Sequence, residues 1–458
     1  MDAMGLGSSD RYRIRIATLW GGALALAILL PRSLAFVGPL LVLLTAVGLH
    51  FAAPTGGGAY FGASSAGAGS GRNRVAFLLL LGFAGWALLS ASWSLDAISA
   101  LQKSALLAGL IGVLWWLQHK LSVVDEKLLA AISTAVVIAT AVTAVAIAIE
   151  TLTNQALSRA IMTHLPFMQP RDPKHVSIVD GVIIGRSEAE LNRRTAALVL
   201  FLWPAVMGFW ALWARRDQLI KGGSSARSRQ FGLTGFAAVA AVGLSVLTGN
   251  HQSSMLALAV SLTVFALASV RPRVAVALSV VGWLGIMLLI VPIALCAYSN
   301  GWQHSSWLQH SARHRIVIWH ETAQHVIGSP WLGIGAEATP VLHKAIGAGT
   351  LQIEKDTGFE KTVARHAHNA YLQVWLELGV PGALLMLAAG LAVLAVIAQF
   401  PASTLPFALA HWSAIVAMMA TSYGLWQLWI LCAIMGSIGA MMIAIRLRRL
   451  DETVRTGL

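Results

Sequence analysis

The chain has 458 residues, of which 57% are hydrophobic and only 11% charged, and its mean hydropathy is +0.72. Soluble globular proteins carry about 25% charged residues, so composition excludes that class. The formal charge of +13 does not point to nucleic acid, because membrane proteins gather basic residues at the cytoplasmic ends of their helices. Two cysteines, Cys296 and Cys432, lie far apart in or beside apolar runs and spell out neither a disulfide framework nor a zinc motif.

Apolar runs of about 17–25 residues, the length that carries a helix across about 30 Å of hydrocarbon, recur along the chain. They are solidly apolar, which excludes the alternating strands of a membrane barrel. Arg11, Arg13 and Arg15 precede the first run, 16–30, and Ser33-Leu34-Ala35 resembles a signal cleavage site. Because Pro31-Arg32 turns straight into the second run, 34–51, the first is read as a membrane helix. A Gly/Ser/Ala-rich loop over 53–74 is expected to be flexible. Further runs follow at 75–91, 101–118, 128–149, 195–213, 231–247, 253–269 and 274–297, and, past a long polar segment, at 380–398, 404–421 and 425–445. They predict an all-α polytopic membrane protein of about twelve transmembrane helices with both termini on one side.

Charge orients the bundle. With the N-terminus inside, the inward segments hold Arg72, Arg74, Lys120, Lys127, Arg215, Arg216, Lys221, Arg227, Arg229, Arg271, Arg273, Arg446, Arg448, Arg449 and Arg455. The short outward turns carry only Arg32 and Lys103, as the positive-inside rule requires. Two long polar segments, 150–194 and 298–370, then share the outer face. The expected organisation is a bundle of about nine helices over 1–297 with an outward loop at 150–194, a large outer loop over 298–370, and about three helices over 371–458. No inverted repeat of the kind found in many transporters is visible.

Residues 365–373 read Arg-His-Ala-His-Asn-Ala-Tyr-Leu-Gln. Asn369 suits the N-cap of a helix that begins at Ala370 and breaks at 379–382. His368 then sits at the mouth of a membrane helix. An imidazole there, with its ordinary pKa of about 6.5, can take a proton from a hydroxyl or simply hydrogen-bond a loop. A zinc site on His366 and His368 lacks further ligands at the usual spacings. Arg313 and Arg315 precede Trp319 and the turn 330–335, Pro-Trp-Leu-Gly-Ile-Gly. Guanidinium groups bind phosphate oxygens bidentately and keep their charge, although a lone loop arginine also snorkels or pairs with a carboxylate such as Glu321. Arg186, Arg193 and Arg194 open another span, with Glu188 and Glu190 beside them to hold a divalent metal or to balance the arginines; the metal-free version is preferred. The turn 248–254 adds polar groups on the same side.

With these motifs in place, the chain resembles the bacterial O-antigen ligase and polymerase superfamily of multi-span inner-membrane glycosyltransferases. The resemblance rests on Asn192-Arg193 opening a span, Arg315 four residues before Trp319, the Pro-x-x-Gly-x-Gly turn at 330–335, His368-Asn369 with Gln373, and Glu-x-Gly-x-x-Gly at 377–382. It implies about twelve helices, a large periplasmic loop, an undecaprenyl-pyrophosphate-linked glycan as donor, and no metal requirement; no cofactor is expected, and the charge bias with an even number of spans makes both termini cytoplasmic. It maps His368 onto the family's essential histidine, and Arg315 and Arg193 onto its arginines. Where many members read Thr-x-Ser-Arg-Gly, this chain has Thr248-Gly249-Asn250-His251-Gln252; protonated His251, Arg186 or Arg313 is expected to supply the missing cation. The expected reaction is inverting transfer of the glycan to lipid A-core, with His366 and Asn369 in support. The alternatives are polymerisation onto another lipid-linked glycan and, in a different class, a flippase. A carrier would place charges within its spans, whereas here they lie in loops and at helix ends.

Overall fold

The computed structural model describes residues 8–33, 36, 37, 39–41, 68–121, 125–165, 176–219, 240–349, 352–354 and 356–456. In chain order these form α1 (Ser8–Leu29), α2 (Ala68–Leu89), α3 (Ala97–Lys120), α4 (Glu126–Leu152), α5 (Ala156–His164), a hairpin of β1 (Val176–Val179) and β2 (Val182–Arg186), α6 (Ala189–Leu219), a helical stretch at 240–247, α7 (Gln252–Val270), α8 (Pro272–Ser299), α9 (His310–Gly328), α10 (Thr339–Ala348), α11 (Ala370–Ile397), α12 (Leu405–Thr421) and α13 (Leu428–Thr456). Among the described residues eight helices are long and apolar enough to cross a membrane: α2, α3, α4, α6, α7, α8, α11 and α13. The protein is an all-α multi-pass membrane protein, in which the small antiparallel hairpin is a minor feature.

Helices lie over each apolar run that falls within the described residues. Most of the run at 34–51 and the first part of that at 231–247 lie outside them, as do Lys221, Arg227, Arg229, the supposed cleavage site beyond Ser33, and most of the Gly/Ser/Ala-rich loop. The end of that loop is helical: α2 starts at Ala68, ahead of the apolar run. The polar segments also fold, the first into α5 and the hairpin and the second into α9 and α10.

The chain falls into two compact units. The first comprises residues 1–54, 116–262 and 432–458. Here α4, capped by Asp125, whose carboxylate accepts the Lys127 N–H at 3.0 Å, packs against α1 and α6. Gly21 and Gly208 allow the close approaches, each lying against a small α4 residue, Ala135 and Ser133 respectively.

The second unit comprises 55–115 and 263–431. Its centre is α11, which packs against α2, α8, α9 and α12. Around it Ile290, Ala294, Ala323, Val326, Leu372 and Leu376 form a buried core that Trp319 and Trp375 close.

Within this unit α11 is interrupted where predicted: Gly379 has φ +60° and ψ −161°, and Pro381 has no N–H to give the Glu377 carbonyl. In hydrocarbon every freed backbone group must find a partner inside the protein. The turn 330–335 supplies most of them. Ile334 N donates to Leu376 O at 3.0 Å, Gly335 N to Glu377 O at 2.8 Å, and Val380 N to Pro330 O at 3.0 Å. The Trp86 indole takes the Leu378 carbonyl at 2.9 Å. Gly333 must be glycine for this, since its φ is +68° and a Cβ would fall 2.5 Å from the Glu377 carbonyl carbon.

Candidate active site

In the second unit, α9 buries Ile316, Val317, Thr322, Ala323 and Val326. One turn apart on the same helix, Arg315 and Trp319 share a face. The Trp319 indole N–H donates to Ala367 O at 2.8 Å, which fastens the residue before His368 to the arginine-bearing helix. Asn369 is the N-cap foreseen from the sequence, accepting the Tyr371 and Leu372 N–H groups at 3.0 Å each. Between the tether and the cap His368 adopts φ +52°, a left-handed conformation uncommon outside glycine that sites of function tolerate at a cost.

His368 Nδ1 lies 2.8 Å from Ser422 O. A carbonyl only accepts, so Nδ1 carries the proton and Nε2 keeps a lone pair. Burial depresses the imidazole pKa to about 4, with Ser422 O opposing and the charges of Arg315 and His314 adding to the fall. At neutral pH the ring is therefore a neutral base beside a guanidinium. Burial also lowers the Arg315 pKa, with Tyr423 working against it, but an arginine keeps its charge in proteins.

Other predicted residues assemble in this unit. The His366 ring tilts against that of His368 at a centroid distance of 4.2 Å, and its Nε2 accepts from the Gln427 amide at 3.0 Å. The half-buried Arg313 has no hydrogen-bond partner for its Nε among the described residues. His314, which sequence reasoning passed over, stacks on Phe359 at 4.9 Å; burial, then His310 and Arg315, lower its pKa against the pull of Glu360. Ser422 was also missed, and no residue pattern would have found it, because its backbone carbonyl does the work.

The first unit holds the second group of predicted residues. Arg193 pairs with Glu190 at 2.5 Å, and Glu190 also holds Arg32 at 3.0 Å. Arg194 is buried; its Nη1 donates to Ser158 Oγ at 3.1 Å, and Ser158 N donates to the buried Glu150 at 2.9 Å. Arg186, at the end of β2, has its Nε and one Nη buried without a hydrogen-bond partner among the described residues. Burial and then Arg194 lower its pKa, with Glu190 and Glu150 opposing and Arg32 adding to the fall. The expected balancing of arginines holds for Glu190 but not for Glu188, which accepts from Asn250 at 2.8 Å. That bond brings the turn 248–254 to the same group. His251 is buried in it, with Nδ1 2.6 Å from Ser254 Oγ. Among the described residues no three His, Cys, Asp or Glu side chains converge as a metal-binding group would.

Comparison with known proteins covers part of this geometry. Residues 236–387 match the O-antigen ligase family. A protein of Rickettsia conorii that bears the name of a polysaccharide ligase is 34% identical over 128 residues, 26% of this chain and 29% of that relative. The match thus spans less than a third of the relative's length. Over residues 236–387, which include Arg315, the 330–335 turn, His368 and the break in α11, the chain is similar to the O-antigen ligase family.

Proposed function

We propose that the protein is an O-antigen ligase-type glycosyltransferase that moves a glycan from undecaprenyl pyrophosphate to a sugar of lipid A-core. His368 Nε2 takes the proton of the acceptor hydroxyl, whose oxygen attacks the anomeric carbon from the face opposite the leaving group. The bond from that carbon to the pyrophosphate oxygen breaks, and undecaprenyl pyrophosphate departs with the electron pair. Arg315 stabilises the charge that develops there, and Arg193 and Arg186 are assigned to donor binding, with Arg313, His251, His366 and Asn369 in support. Fixed cations give the larger part of such a rate enhancement, and a positioned base contributes about 10²- to 10⁴-fold. No metal or cofactor is assigned a role. The reaction is placed on the periplasmic face of the bacterial cytoplasmic membrane, with 298–370 as the large outer loop between the 1–297 and 371–458 bundles and both termini cytoplasmic.

The observation that carries this reading is the bond from His368 Nδ1–H to Ser422 O at 2.8 Å, next to the Arg315 charge. It leaves an unprotonated Nε2 within electrostatic reach of a fixed cation, which suits both deprotonation of an alcohol and departure of a diphosphate.

The test is transfer of label from an undecaprenyl-pyrophosphate glycan by the purified, reconstituted chain. Product on lipid A-core is expected. Product only on a second lipid-linked glycan would make the protein a polymerase of the same superfamily. Translocation of the donor across the bilayer without transfer would make it a flippase and overturn the enzymatic reading.

A further inference from the structure

The Ser422 carbonyl decides which nitrogen of His368 carries the proton, yet residues 422–427, between α12 and α13, have no regular secondary structure to fix it. The fixing groups come from α11. Gln373 Oε1 accepts the Leu425 N–H at 2.9 Å, and Glu377 Oε2 accepts the Trp426 indole N–H. Gln373 and Glu377 stand one turn apart on the same face and are bonded to each other, Nε2 to Oε1, at 3.0 Å. On the other side the Lys103 ammonium donates to Trp426 O at 3.2 Å. Between them Gly424 is pressed so close that a Cβ would lie 2.7 Å from His366 Cβ and 3.0 Å from Gln373 Oε1.

Glu377 is fully buried, at 0% exposure. Its Oε1 accepts from Thr339 N at 3.2 Å, Thr339 Oγ1 at 2.5 Å and Gln373, and its Oε2 accepts from Glu337 N at 3.0 Å and from Trp426. A carboxylate has about four lone-pair positions, so this one is saturated by donors alone. Burying an ionised group costs several kcal/mol that apolar packing would avoid. Apolar packing has no directional hold on a loop, and these hydrogen bonds do.

We propose that Gln373 and Glu377 are positioning residues for the transfer reaction: by clamping 425–426 onto α11 they hold the Ser422 carbonyl where it keeps the His368 proton on Nδ1 and Nε2 free. The proposal rests on His368 being the base. Neutral imidazole left to water favours the opposite tautomer, and losing tautomer control costs up to about 10⁴-fold in a Ser-His-Asp triad. A loosened clamp that leaves part of the population in the competent tautomer should cost less, in proportion to the fraction lost.

The experiment uses the full chain in lipid nanodiscs with ¹⁵N-labelled histidine, the His368 signal being identified by its absence in His368→Gln. Wild type should show the Nδ1–H tautomer. In Trp426→Phe, which removes one hydrogen bond and little volume, and in Gln373→Met, the signal should shift towards a mixture of tautomers. Alongside it kcat should fall in proportion to the Nδ1–H population lost, about two- to fivefold, while KM for the donor stays as in wild type. An unchanged tautomer in both variants overturns the proposal, whether kcat holds or falls together with donor affinity. Failure of the wild type to transfer glycan at all would instead overturn the enzymatic reading, and the tautomer measurement would still decide the clamp.

Discussion

The indole N–H of Trp319 meets the carbonyl of Ala367 at 2.8 Å, although the two residues are far apart in the chain. This bond gives a physical reason for an arginine placed four residues before a tryptophan. One face of α9 presents the cation, and the next turn of that face holds the backbone that carries His368. Trp319→Phe keeps the aromatic ring in its core and deletes only the tether. Transfer should slow about tenfold, equivalent to about 1.4 kcal/mol, a loss in the range of a single net hydrogen bond. Donor affinity should hold. An unchanged turnover number would make the tether idle.

The pH dependence of transfer has a definite sign. His368 is held at about 4 when folded, chiefly by burial, with Arg315 and His314 contributing, against about 6.5 for a free histidine. Its neutral, proton-accepting form is thus complete well below pH 6, and kcat/KM should stay flat on the acid side until the pH nears 4. Arg315→Gln removes one of the depressing charges, so the acid limb of its residual activity should move to higher pH. Stability follows the same linkage: the contribution of the neutral ring is whole above about 6.5 and is lost as pH falls towards the folded value. A wild-type limb near 6.5 would contradict the burial of the ring.

The outline of the fold was legible because hydropathy and helix length are coupled by the thickness of the bilayer, so apolar runs such as 128–149 map directly onto helices such as α4. The Asn369 cap was legible for a local reason: a short amide at the start of an apolar run reaches two N–H groups of its own chain. The folded parts of the polar segments, α5, the hairpin, α9 and α10, were not, since the apolar runs that disclose spans are missing there. Arg193 was read as a phosphate ligand with acidic neighbours to balance the arginines, and the pairing with Glu190 was legible because the two stand three residues apart on one helix. The contacts proposed to orient His368 were invisible for another reason, although Gln373 and Glu377 themselves stand in the motifs. Ser422 acts through a backbone carbonyl that any residue would supply, and Gln373 and Glu377 reach it only through a tertiary contact.

The exchange of hydrogen bonds between the 330–335 turn and the break in α11 predicts where glycine is obligatory. Gly333→Ala places a methyl against the Glu377 backbone at a φ of +68°, and Gly379→Ala does the same against the Trp331 carbonyl at φ +60°. Each should destabilise the protein by about 2–4 kcal/mol, the sum of left-handed strain and a displaced backbone bond. Gly112, within α3, has no atom within 4 Å of an added Cβ. Its replacement by alanine should be neutral or stabilising by up to about 1 kcal/mol through helix propensity. Thermal unfolding in detergent separates the three variants, and equal midpoints for Gly333→Ala and Gly112→Ala would refute the role given to the turn.

Glu337 supplies a test of opposite sign to that of His368. Its backbone is left-handed, at φ +53°, and its N–H donates to Glu377 at 3.0 Å. Burial, then the neighbouring Glu377 charge and more weakly Asp96, lift its pKa to about 7 against the pull of Lys103. A carboxyl whose folded pKa lies above its unfolded value binds its proton more tightly when folded. Its contribution is complete below about pH 4.3, the ordinary glutamate value, and is lost as pH rises through 7. Glu337→Gln keeps the shape and backbone conformation and removes the titration. The unfolding midpoint of the wild type should therefore fall relative to that of Glu337→Gln as pH is raised from 5 to 8, steeply between 5 and 7 and levelling off above 7. Parallel midpoints across that interval would mean that the carboxylate is ionised at Glu337 throughout and that Lys103, not burial, governs it.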